Sequence, residues 1–237
     1  MQLTVTMRRC VALVVVLTMS MAFSQPKLLI CMPGKQNTQR LQNGFDTLVG
    51  QGTAIVLGRI KDVEALLPVN PDAAIISSKA FFNYLPGYTY VLVGKKKQQA
   101  GEKYFIVTAS KEISKESIAR QKVGIIDFLN KDRLPKFVHD QFNLNITFLK
   151  RVNKEDDLLT MLGMEVVDAI IVSASQYRDI YPNTRLPLTI IATSENNVGF
   201  AVCAAKEGKI DDKLVQALLK TPVYILKELG IDSWEKP

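Results

Sequence analysis

Four serines are the side chains best placed for ligand chemistry. Ser77 and Ser78 close the run Asp72-Ala73-Ala74-Ile75-Ile76, and Ser173 and Ser175 close Asp168-Ala169-Ile170-Ile171-Val172. An apolar run that ends in serine and then turns amphipathic puts hydroxyls at a strand's exit and a helix's start. Free backbone N–H groups and the helix dipole at such an edge attract anionic or polar groups. The same hydroxyls serve equally as N-caps, so both roles stay open at this point. Lys35, Asn37 and Thr38 follow the first apolar run, Lys79 follows Ser78, and Asn130 and Lys131 follow a later run. These are candidate ligand contacts, with Lys35, Lys79 and Lys131 supplying positive charge to a small anion. The alternative for each lysine is a solvated surface side chain.

Catalytic chemistry finds no comparable support. The single histidine, His139, lies in the helical stretch Lys136-Phe137-Val138-His139-Asp140 without a partnered nucleophile. The sequence has no GxSxG, no HExxH and no phosphate-cradling glycine loop, and Gly34-Lys35 lacks the other glycine of such a loop. Cys31 and Cys203 sit inside apolar runs, where cysteine behaves as a small core residue. An oxidising compartment would also allow them to pair, and neither has metal-site spacing. The net charge is +7, carried by scattered basic residues without a nucleic-acid motif. The expectation is binding without catalysis, cofactor, metal or nucleic acid.

Short apolar runs alternate with amphipathic segments, the pattern of an α/β fold. Strands are predicted at residues 27–32, 53–57 and 72–76, with a helix from Asn37 or Thr38 to about 49 and another opened by Asp62. Residues 88–93 and 104–109 read as a hairpin whose tip carries Lys95-Lys96-Lys97. Further strands are predicted at 123–126, 146–149, 168–172, 188–192 and 198–204, and helices at 135–142 and 155–161. Ser114 caps a short helix, Asp211 and Asp212 open a longer one, and a last helix at 224–229 stops at Gly230.

An internal echo organises these elements. The stretch from Asp72 to Phe81 matches that from Asp168 to Tyr177, each after a double leucine and before a proline, Pro86 and Pro182. Two similar β-α-β-α-β units imply two similar lobes. The expected fold is therefore two lobes, each a mostly parallel sheet flanked by helices, joined by crossing hinge strands. The first lobe is assigned 25–109 plus 192–237 and the second 110–191, with crossings near 108–111 and 190–193. Residues 1–24 read as a secretory signal: Arg8 and Arg9, an apolar core too short to span a bilayer, then Ala22-Phe23-Ser24.

With its order of elements, the chain resembles the type II periplasmic binding proteins, particularly the phosphate/phosphonate ABC-transporter group. Asp72-Ala73-Ala74-Ile75-Ile76-Ser77, Tyr104-Phe105-Ile106-Val107-Thr108-Ala109 and Lys122-Val123-Gly124-Ile125-Ile126-Asp127 carry the resemblance, with the tail from Thr221-Pro222 through Gly230 to Trp234. It implies a monomeric periplasmic receptor for a small anionic solute, serving an inner-membrane permease. The alternative on the same fold is a sensing or docking protein for an envelope partner. Asp127-Phe128-Leu129-Asn130-Lys131-Asp132 departs from that group's Ser/Thr-Gly-rich turn and sets a carboxylate where an anion would sit.

Overall fold

The computed structural model of the chain describes residues 26–34 and 38–237, so the expected signal segment, Lys35 and Asn37 lie outside the described residues. The first sheet grows from β1 (Leu28–Cys31), whose side chains are all buried. It is flanked in parallel by β2 (Ala54–Leu57) and β3 (Ala74–Ser78). Parallel neighbours need crossovers, supplied by α1 (Thr38–Val49) and α2 (Ile60–Leu66). Apolar side chains on both faces of β1 suit a strand covered on both sides. β12 (Ala201–Lys206) adds antiparallel to β3, followed by β4 (Tyr88–Lys95) and β13 (Ser233–Glu235). α3 (Lys79–Phe82) leaves β3 directly.

The second sheet repeats this plan. β7 (Lys122–Ile126) lies between parallel β8 (Phe148–Val152) and β9 (Ala169–Ser173). β6 (Tyr104–Thr108) runs antiparallel to β9, with β10 (Thr189–Thr193) at the edge. Its helices are α4 (Leu134–Phe142), α5 (Glu155–Gly163) and α6 (Ala174–Ile180). Read from the edges, β2-β1-β3-β12-β4 of one sheet corresponds to β8-β7-β9-β6-β10 of the other. The echoed sequences are thus β3 and β9, the third strand of each series. α7 (Asp212–Leu219), capped by Asp211, and α8 (Val223–Leu229), closed by Gly230 at φ 76°, pack on the first sheet.

Two expectations are corrected. Residues 88–93 and 104–109 form no hairpin, because β4 and β6 belong to different sheets. The crossings expected near 108–111 and 190–193 also fall within the second sheet, where β6 pairs with β10. The chain leaves the first sheet earlier and returns to it later than expected, through a short antiparallel ribbon of β5 (Gly101–Glu102) and β11 (Val198–Gly199). Alternation and apolarity mark these segments as strands but do not name their partners. The lysine-rich tip is a two-residue turn: Lys96 and Gln99 exchange backbone hydrogen bonds at 2.9 Å, with Lys97 and Gln98 at φ 49° and 62°.

Cys31 and Cys203 are both free and buried. β3 separates their strands, and Cys31 packs with Leu29 on one face of the sheet while Cys203 packs with Ile30 on the other. Two strand spacings exceed ~9 Å, beyond the ~7 Å Cα limit for a disulfide. Burial pushes each thiol up to about 12.

Candidate functional site

The exits of the two series of strands converge on a cleft of about 230 Å³. Ser78 ends β3 on one wall, and Ser173 ends β9 on the other. Ile126 at the end of β7 and Phe128 just past it line the cleft, as do Gly199 and Phe200 of the crossing segment. The lobes touch beside this cleft. Glu64 of α2 accepts hydrogen bonds from Asn130 Nδ2 and Arg133 Nη1, each at 2.9 Å. Gly34, just past β1, forms an isolated parallel bridge with Lys154 at the start of α5. Gly34 has φ 88°, and a Cβ there would stand 3.4 Å from Glu155 Cγ.

Solved structures with this arrangement are known. No protein-family model and no curated protein matches the sequence. A binding-protein component of an ABC phosphonate transporter from Pseudomonas aeruginosa superposes with TM-score 0.66 at 12% identity, covering 90% of this chain and 82% of that one. PhnD1 from Prochlorococcus marinus, in complex with methylphosphonate, gives 0.63 at 11% identity over 90% of this chain and 93% of that one. The periplasmic VFT2 domain of Bordetella pertussis BvgS gives 0.51 at 10%, over 90% and 95%. The chain has the type II periplasmic binding protein fold.

On this binding-protein fold, the serine edges differ in state. Ser78 Oγ is buried and has no hydrogen-bond partner among the described residues. Ser173 is committed to a capping box: its Oγ accepts from Gln176 N, and its N–H donates to Gln176 Oε1. Ser175 donates to Glu102 Oε2 twice, from its N–H at 2.7 Å and its hydroxyl at 2.6 Å. Lys96 Nζ donates to Ser175 Oγ at 2.8 Å. The crossing ribbon therefore delivers a carboxylate onto the first turn of α6.

The remaining candidates lie elsewhere. Ser77 is buried against the Cys31 thiol, to which it is hydrogen-bonded. Thr38 starts α1 with its methyl over Gly58. Lys79 lays its stem on Gly199 and its ammonium 5.6 Å from the Tyr90 ring centroid. Asn130, at φ 68°, belongs to the Glu64 clasp, and Lys131 is exposed outside the cleft lining. Asp127 pairs with Arg151 Nη1 at 2.7 Å and is not in the lining, although its neighbours Ile126 and Phe128 are. Ser78, Ser173 and Ser175 are thus the candidates the fold brings together.

Lys96, Glu102, Tyr104, Glu155 and Gln176 join them without having been singled out from sequence. Gln176 Nε2 donates to Glu155 Oε1 at 2.9 Å. Burial pushes the Tyr104 phenol up, and the negative charges of Glu102 and Glu155 push it further. Ser173-x-x-Gln176 is a legible capping-box signature. Glu102, Tyr104 and Glu155 carry no local signal, because the ribbon and α5 reach the cleft only through tertiary packing.

Proposed function

We propose that the chain is an exported solute receptor whose lobes enclose a small polar ligand, leave it chemically unchanged and present it to an ABC-transporter permease. The observation that carries this reading is that equivalent strand exits, Ser78 from one series and Ser173 from the other, face a single cavity. The lobes divide at the β5/β11 ribbon, and hinge closure about it belongs to the known repertoire of ligand-driven domain motion. Residues 1–24 act as a cleaved signal that delivers the protein to the periplasm. The roles of the phosphonate-transporter neighbours support this reading. An anionic ligand draws nothing from Lys79 and Lys131, which stand outside the cleft.

The likeness to the BvgS domain favours a second reading, in which closure reports a ligand to a membrane sensor. A thermal-shift screen against phosphate, phosphonates, sulfate, carboxylates, amines and amino acids tests the receptor reading. A ligand at 100 times its Kd adds about 2.7 kcal/mol, a shift of several degrees. Ser78→Ala should abolish that shift while leaving the unliganded melting temperature in place. No shift with any solute would refute receptor and ligand-sensor readings alike.

A further inference from the structure

We infer that the cleft takes a small solute carrying a protonated amine and turns oxyanions away. This rests on the receptor reading and gives it a ligand class. On the second lobe's wall, the chain's own carboxylates stand at the starts of α5 and α6, beside the cleft. At α6, Glu102 takes both the N–H and the hydroxyl of Ser175. At α5, the first turn carries Glu155, Asp156 and Asp157, and Glu155 lines the cleft. Asp179 adds a third carboxylate to the lining, against Lys96 and Lys227. Lys96 is already engaged with Ser175 Oγ at 2.8 Å.

A phosphonate entering here would meet like charge at the helix starts that would otherwise hold it. A protonated amine meets acceptors instead. Glu155 receives one hydrogen bond from Gln176 Nε2 and keeps further lone pairs. Ser78 Oγ, buried without a partner, supplies a neutral acceptor on the opposite wall. At about 230 Å³ the cavity lies just below the usual ~300 Å³ lower bound for ligand pockets, which limits the solute to a small one.

The test uses the full chain in thermal-shift and calorimetric titrations with two sets of probes. Putrescine, ethanolamine and L-lysine form one set, and methylphosphonate, inorganic phosphate and sulfate the other. A rise in melting temperature with an amine and none with the oxyanions is the expected result. E155Q should then weaken that amine at least tenfold with an unchanged circular dichroism spectrum, because glutamine still accepts from Gln176. E102Q provides the same readout should E155Q fail to fold. Oxyanion binding with silent amines overturns the inference and leaves the receptor reading standing. Silence from both sets overturns the receptor reading and the inference with it. Amine affinity unchanged in both variants overturns the assignment of these carboxylates.

Discussion

Gly101 sits where the chain crosses between the sheets, and its replacement by alanine is a direct test of that ribbon. The added Cβ would stand 2.5 Å from the Val198 carbonyl oxygen, 2.8 Å from its carbon and 3.0 Å from Gly199 Cα. All three are backbone atoms, so no side-chain rotation relieves the overlap. A relaxed C···O approach is about 3.3–3.6 Å, and the strands must therefore part by roughly 1 Å. Such an opening breaks the Gly199–Gly101 and Val198–Glu102 pairing. Two backbone hydrogen bonds at about 1 kcal/mol each, with about 1–3 kcal/mol of overpacking strain, give a loss near 3–5 kcal/mol. At about 2–4 °C per kcal/mol for a chain of this size, the melting temperature should fall by roughly 6–20 °C. Thermal unfolding followed by circular dichroism measures it. Gly163→Ala is the control: its Cβ would meet only Leu186 methyls at 3.7 and 4.0 Å, and it should be neutral to about 0.5 kcal/mol stabilising. A G101A melting temperature within 2 °C of the parent would refute the close-packed ribbon.

Removing the Glu64 carboxylate with E64A releases Asn130 and Arg133 together. The ion pair is about one-third exposed on both sides and contributes about 1 kcal/mol at most, so the ratio of closed to open forms should fall by up to about fivefold. Small-angle scattering should show a larger radius of gyration, and an unchanged curve would remove the clasp from the closure equilibrium. Cys31 and Cys203 have folded values pushed up to about 12 from a reference of 9.0. Their neutral burial therefore stabilises the fold fully below about pH 9 and is lost as pH rises toward 12, at about 1.4 kcal/mol per unit for each thiol. Urea unfolding between pH 8 and 11 should show a shallower decline in C203A than in the parent, and parallel curves would contradict the assignment. Gln98 sits at φ 62° in the lysine-rich turn, so Gln98→Gly should relieve about 1 kcal/mol of left-handed strain, partly offset by chain entropy. A melting temperature raised by about 1–2 °C is expected, and a fall would show that the turn is not the left-handed pair described.

Much of the element order was legible because local patterns carry it. The first helix starts at Thr38, Asp211 caps α7, and Gly230 closes α8 in the left-handed conformation that glycine tolerates. Elsewhere local pattern ran out. The predicted strand at 146–149 forms at Phe148–Val152, where register beside β7 sets the boundary. The run predicted as one strand at 198–204 divides at Phe200, because Val198 and Gly199 pair with β5 while Ala201 onward pairs with β3 and β4. The short β13 around Trp234 exists only because it pairs with β4.

By itself the sequence determined the duplicated α/β plan and two serine-bearing strand exits, since hydrophobic period, caps and the echo of residues 72–81 in 168–177 are properties of neighbouring residues. Tertiary structure decided the partners of β4 and β6, the place of the crossing, and the charge of the cleft. The sequence left Ser175 open to capping or to ligand contact until the fold set Glu102, 73 residues away in the chain, on its N–H and hydroxyl. A carboxylate acts through distance, and the distance between remote residues is fixed only when the sheets form and the ribbon closes between them.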